Sequence, residues 1–360
     1  MYTTENKINR LSKSYLAAVI LAITGIGTWI FQLVSGMQVT GLDNGVVWGL
    51  YIAAFFVAVG GGAALLAIAG ISEFKNVISP VTKSKTLILA ITAFIVGGIL
   101  ITMDLGNPIQ VFRLITSFRF QSMMVWDFWF LALCFLVALF FLLKVRKSGN
   151  GGKIFGVIAI ATALFVVVVE GFMLSSMAAH DMWGSGMTVV SFLISAAVVG
   201  CALAMLIMPK NESVRKMLLT VLVLSLIVTL AEVFTGALTG NPETKAEMMF
   251  VLSGKAAPFF WGQLTIGLLV PLFLLIKYAK PIAAVLLAVV GVVLEKTWVL
   301  AAGQAGHWMQ ESLNVYSPSV IEYITVVGAA AIGVLLFELL MKLFNFKVSP
   351  ASEDQKTLVI

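Results

Sequence analysis

"VVWGLYIAAFFVAVGGGAALLAIAGI", residues 46–71, runs without a charged side chain. About 20 apolar residues, rising 1.5 Å each as a helix, cross a hydrocarbon layer about 30 Å thick. This stretch is therefore long enough to span a membrane. Its glycine run, "VGGGAALL" (59–66), lies in mid-span, so it is not a phosphate cradle. It reads instead as a surface where helices approach closely. The rest of the chain follows suit. Of its 360 residues 60% are hydrophobic and 11% charged, with mean hydropathy +1.05. A soluble domain has about a quarter of its residues charged, so the composition is that of an integral membrane protein.

Nine further apolar runs accompany the first. The predicted spans are 15–34, 46–71, 86–103, 125–143, 154–176, 187–208, 217–238, 259–276, 281–300 and 320–344. The fold class is all-α: a polytopic membrane protein of about ten transmembrane helices, with a segment 1–14 before them and a tail 345–360 after them. Lys7, Arg10 and Lys13 precede the first run as in a signal peptide. That run is too long for one and lacks an A-x-A site, so it reads as a retained span.

Eighteen of the 23 lysines and arginines fall in the N-terminal segment, in alternate loops and at the C-terminal end. The positive-inside rule then makes both termini cytoplasmic. The net charge of +6 is spread over these loops, which argues against a nucleic-acid partner. On this topology "MDLGNPIQVFRL" (103–114) lies outside, and all eight tryptophans and both histidines, His180 and His307, map to the outer half. A one-sided aromatic belt suggests an outer face that holds a flat ligand or docks a partner, although longer outer loops alone would also produce it. Cys134 and Cys201 sit apart in apolar runs and make no metal or disulfide framework. With both histidines in outer segments, a haem held between two spans by histidine pairs is not expected. No nucleotide or hydrolytic motif occurs.

Ionisable residues inside spans are costly and tend to be functional. Here they are Glu170, Glu232, Glu295, Lys296 and Glu322, with Asp104 capping the outer end of a span. Nearly all fall in the outer third of their helices. If its helix continues far enough, Glu170 shares a stripe with Met173, Met177 and Asp181. Each of these groups also has a plain alternative, a structural partner nearby; for Asp104 that is a turn aspartate bonding its own backbone.

Five stretches together resemble the NrfD and polysulfide reductase family of membrane anchors. They are "WGLYIAAFFVAVGGGAALL" (48–66), "DLGNPIQVFRLI" (104–115), "GFMLSSMAAHDMW" (171–183), "LEKTWVLAAGQ" (294–304) and "YSPSVIEYITVVG" (316–328). Asn107 stands where the family usually has arginine, His180 and Asp181 where it has Arg-Pro, Val169 and Glu170 where a tyrosine is common, and Lys296 where arginine is common. The resemblance covers residues 46–344. It implies two four-helix bundles with the first and last helices peripheral, in a bacterial cytoplasmic membrane. It further implies a quinone site (menaquinone or ubiquinone) near the outer surface, with no haem or iron–sulfur cluster held by this chain. The implied partners are an extracytoplasmic four-cluster ferredoxin-like iron–sulfur subunit and a catalytic subunit of molybdopterin or multihaem type. Around the head group the expected residues are Asp104, Glu170, Met177, His180, Trp183 and Lys296; Glu232, Glu295 and Glu322 are expected to move protons, and no metal site is expected. Two alternatives remain: a secondary transporter, which solute uptake by the chain alone would reveal, and a redox-inactive anchor for a soluble enzyme.

Overall fold

The computed structural model describes residues 2–75, 78–116, 121–177, 182–278, 281–305 and 316–344. Twelve helices are used below. They are α1 (Tyr2–Ser35), α2 (Leu50–Ile71), α3 (Pro80–Asp104), α4 (Val111–Thr116), α5 (Met123–Ser148), α6 (Lys153–Ser175), α7 (Gly186–Ile207), α8 (Glu212–Thr239), α9 (Pro242–Leu252), α10 (Ala257–Lys277), α11 (Pro281–Ala305) and α12 (Val320–Leu343). All but α4 and α9 are long and apolar enough to cross a membrane. The ten predicted spans are thus all present, and the described residues contain no strand.

Local chemistry sets the ends. Ser79 caps α3 by accepting from the Thr82 amide, with Pro80 in the first turn. That start lies several residues ahead of the predicted one and brings Lys83 and Lys85 into the helix. Asn211 caps α8 through the Ser213 and Val214 amides. Ser319 and Glu322 form a reciprocal capping box at α12. Gly149, at φ 78°, ends α5 in the left-handed conformation that suits glycine. α6 stops at Ser175, so Met177 lies beyond the helix, and Asp181, the last member of the expected stripe, lies outside the described residues. Within α10 the backbone widens into π-helix over Gln263–Leu269 and again over Leu274–Tyr278.

The helices assemble as two four-helix bundles. α2, α3, α5 and α6 form the first; α7, α8, α10 and α11 form the second; α2 touches both α7 and α11. α2 is the central helix, with 78% of its apolar window buried, against 17% for α1. α1 pairs with α12 at the edge of the first bundle. There Gly25 and Gly328 meet backbone to backbone, and the Thr28 and Thr325 hydroxyls are 3.0 Å apart. The 36–49 connection and residues 105–116 lie at one end, called here the site end. At the far end Glu73 binds Lys83 and accepts the Gly151 and Gly152 amides at 3.1 and 2.7 Å, joining the α2–α3 turn to the α5–α6 turn.

Candidate functional site

The connection between α1 and α2 folds over the end of α3. Asp43 organises it by accepting from the Gly45 and Val46 amides, both at 2.7 Å. Between this connection and α3 lies a pocket of about 330 Å³. Met37, Leu42 and Val47 give it apolar walls, Gln38, Asp43 and Asn44 a polar rim, and Asp104 a carboxyl. The Asp104 Oδ1 atom is buried and has no hydrogen-bond partner. Behind the pocket, the Tyr51 hydroxyl donates to Gln32 Oε1 at 2.5 Å, and Gln32 Nε2 donates to the Met103 carbonyl at 3.3 Å. Gln32 thereby fixes the last turn of α3 and the residue next to Asp104.

Glu322 holds the connection in place. Its Oε1 accepts the Tyr316 hydroxyl at 2.5 Å; its Oε2 accepts the Gly41 and Ser319 amides at 2.7 and 2.8 Å. The Tyr316 oxygen in turn accepts the Leu50 amide at 2.6 Å, at the start of α2. Burial first, then the adjacent Glu322 carboxylate, holds the Tyr316 hydroxyl above its ordinary range, so it stays a neutral donor. A Cβ at Gly41 would meet the Ser317 carbonyl oxygen at 2.2 Å, and one at Gly49 the Tyr316 oxygen at 2.4 Å, so neither position has room for a side chain.

Trp183 stands one layer back. Its Nε1 donates to the Val299 carbonyl at 2.8 Å, its ring stacks on Trp48 at 6.0 Å, and Gly303 lies beneath it with no space for a Cβ. Gln304 accepts the Val47 and Trp48 amides at 2.9 and 3.0 Å and donates back to the Trp48 carbonyl. α11 therefore positions the pocket wall at Val47.

A second polar cluster lies deeper, where the two bundles meet. Lys296 pairs with Glu295 at 2.9 Å, both fully buried, and its ammonium lies 3.7 Å from the Phe192 ring centre. Glu295 also accepts Ser191 at 3.1 Å and Gln263 at 3.1 Å. The Gln263 carbonyl accepts Trp298 Nε1 at 2.6 Å. Gln263 opens the π segment of α10, where the wider backbone turn re-aims side chains. Glu232, half-buried on α8, feels the charges of Glu295 and Lys296. Glu170 is fully buried on α6, and its Oε1 has no partner.

Of the residues expected around the head group, Asp104 lines the pocket, while Glu170 and Lys296 are not among its lining residues. Asp104 and Glu322 belong to the pocket end. Glu170, Glu295, Lys296 and Glu232 belong to the deeper cluster, and Trp183 backs the pocket wall. Met177 is partly buried against the core; His180 lies outside the described residues. Sequence reasoning counted ionisable groups and passed over Gln32, Tyr51, Gln263 and Gln304, although an amide inside an apolar run is itself a signal. It also missed Asp127, which it left in a span as though it were apolar.

The described residues thus form a multi-pass helical bundle with a carboxyl-bearing pocket at one end. The sequence profile described as Polysulphide reductase, NrfD matches residues 38–306. The chain belongs to the NrfD family and is a multi-pass membrane subunit of a respiratory oxidoreductase. It is 25% identical to a selenate reductase subunit of Mesobacillus selenatarsenatis, over 92% of this chain and 94% of that one. It is 22% identical to the Hdr-like menaquinol oxidoreductase integral membrane subunit of Archaeoglobus fulgidus, over 97% and 98%. It is 33% identical to a candidate dimethyl sulfoxide reductase membrane subunit of Halobacterium salinarum over 120 residues, only 28% of that protein.

Proposed function

We propose that this chain is the quinone- and quinol-reacting subunit of its complex, with the head group held at Asp104. The carrying observation is the buried, unpartnered Asp104 Oδ1 at a pocket with apolar walls, at the membrane-surface end of the bundle. The name of the archaeal relative, a menaquinol oxidoreductase subunit, supports the same class of ligand. In this reading the site end faces out of a bacterial cytoplasmic membrane. It meets an extracytoplasmic four-cluster iron–sulfur subunit, which serves a catalytic subunit of molybdopterin or multihaem type.

The residues present fit a flat, two-oxygen ring. Met37, Leu42 and Val47 pack it and exclude water. Asp104 Oδ1 lies free to accept a hydrogen bond or proton from a ring hydroxyl. The bound ligand supplies two-electron, two-proton chemistry; the protein orients it and handles the protons. Gln32 and Tyr51 hold the last turn of α3, and with it the Asp104 backbone. Glu322, with both oxygens engaged, positions the 36–49 connection and is not a proton carrier on that geometry. Glu170, Glu232, Glu295 and Lys296 are not among the residues that line the pocket and are assigned to proton handling, while Trp183 supports the wall. The test is Asp104→Asn in the assembled complex. Quinol-driven turnover is expected to fall by about 10²-fold, the usual contribution of a positioned acid or base. Assembly and activity with an artificial donor at the catalytic subunit are expected to be unchanged. Unaltered quinol turnover would refute the assignment.

A further inference from the structure

Asp127 entered neither the sequence reading nor the pocket, yet it is buried, with Oδ1 lacking any partner. Its position relative to Glu170 follows from packing. α5 and α6 run antiparallel as neighbours, and the Cys134 thiol donates to the Thr162 carbonyl at 3.3 Å, which fixes a common level. From Cys134 to Asp127 is seven residues toward the site end, about 10.5 Å of helix rise; from Thr162 to Glu170 is eight, about 12 Å. The two carboxyls therefore lie at one level, and seven residues on α5 return Asp127 to the face that Cys134 presents to α6. Each carries a buried oxygen without a partner.

The surroundings offer little compensation. α2 and α7, which pack on α6, carry no charged side chain. The charged residues of α3 are Lys83 and Lys85 at its far end and Asp104 at its last residue. Cys134 is the other titratable group between the carboxyls. α4, which packs on α5, carries the exposed Arg113; the cation whose charge reaches Glu170 is Lys296, with Glu232 and Glu295 beside it. Lys296 is held by Glu295, whose oxygens also accept Ser191 and Gln263. Four carboxyls, Asp127, Glu170, Glu232 and Glu295, thus lie in one region with a single ammonium among them. Lys296 already matches Glu295, so Asp127 and Glu170, the two carboxyls with free oxygens, are left for protons to neutralise. A carboxyl O–H donating to its neighbour's oxygen would also satisfy atoms otherwise left buried and unpaired.

We infer that Asp127 and Glu170 form an internal proton-loading site, a carboxyl pair in the first bundle that holds two protons at rest and gives one up reversibly. Loss of that proton leaves one negative charge on the pair, with Lys296 of the second bundle within electrostatic reach of Glu170. The site is separate from the Asp104 pocket and does not depend on what that pocket binds. The experiment is infrared difference spectroscopy of the purified full chain, cycled in pH without any quinone, in H₂O and D₂O. The expected signal is a protonated-carboxyl C=O band that shifts on deuteration. It should weaken in Asp127→Asn and in Glu170→Gln, vanish in the double variant, and persist in Asp104→Asn. A double variant whose carboxyl bands match those of the unaltered chain would overturn the inference while leaving the pocket assignment standing. Asp127→Glu guards against misfolding: it keeps the acid on a longer arm and should displace the band. An undisplaced band in that variant would also overturn the inference.

Discussion

Glu73 shows how one side chain can be decisive far from the site. Its carboxylate holds Lys83 and two glycine amides while almost wholly buried. Burial alone would raise its proton affinity; Lys83 first, and then Gly151 and Gly152, outweigh burial and hold it below the ordinary 4.5. A lowered folded-state value stabilises the fold above the unfolded-state value and loses that contribution as pH falls through the folded-state one. Thermal unfolding of the solubilised protein should therefore show stability declining below about pH 4.5. Glu73→Gln should flatten that decline and cost about 3 kcal/mol at neutral pH, because it leaves Lys83 buried without its partner. The far-end lysines were legible as topology signals, but their pairing was not. Lys83 was counted as a loop charge because the helix was expected to start later. At the site, Asp104 was legible as a polar residue closing an apolar run. Asp127 was not, since it sits one turn inside a run rich in tryptophan and phenylalanine, where hydropathy averages hide it.

At the scale of elements, the ten spans were legible because the bilayer imposes a length that composition records directly. The π segments of α10 were not: Pro271 is visible in the sequence, but a shift in backbone hydrogen-bond register leaves no compositional mark. Neighbour relations were equally silent, since spans that are apolar all round give no periodicity to say which face meets which helix. The α1–α12 pair is the clearest case. It joins the first and last spans through Gly25 and Gly328, and a Cβ at Gly328 would lie 2.4 Å from the Gly25 Cα. Paired cysteines introduced as Thr28→Cys and Thr325→Cys, where the hydroxyls are now 3.0 Å apart, should cross-link under mild oxidation. Adding Gly328→Leu should abolish the cross-link by separating the helices. A cross-link that survives Gly328→Leu would mean the glycine contact does not set the pair.

For the whole molecule, sequence position supplied depth along each helix and nothing about lateral placement. That is why Asp104, Glu170 and Lys296, of similar depth, were expected around one head group, whereas of these only Asp104 lines the pocket. The same packing gives the terminal helices a role that their low burial conceals. α1 precedes the family-matched segment and α12 follows it, yet they contribute Gln32 and Glu322 to the frame of the pocket. Which end of this frame faces outward determines what the pocket can meet. The lysine and arginine asymmetry predicts that the 103–114 turn lies outside. Both native cysteines, Cys134 and Cys201, are buried, so a single engineered thiol can be read against a low background. In intact cells Gln110→Cys at the site end should react with a membrane-impermeant maleimide, and Ser148→Cys at the far end should react only after the membrane is opened. The reverse pattern would put the Asp104 pocket on the cytoplasmic side. An extracytoplasmic iron–sulfur partner could not then reach it, whatever the pocket binds.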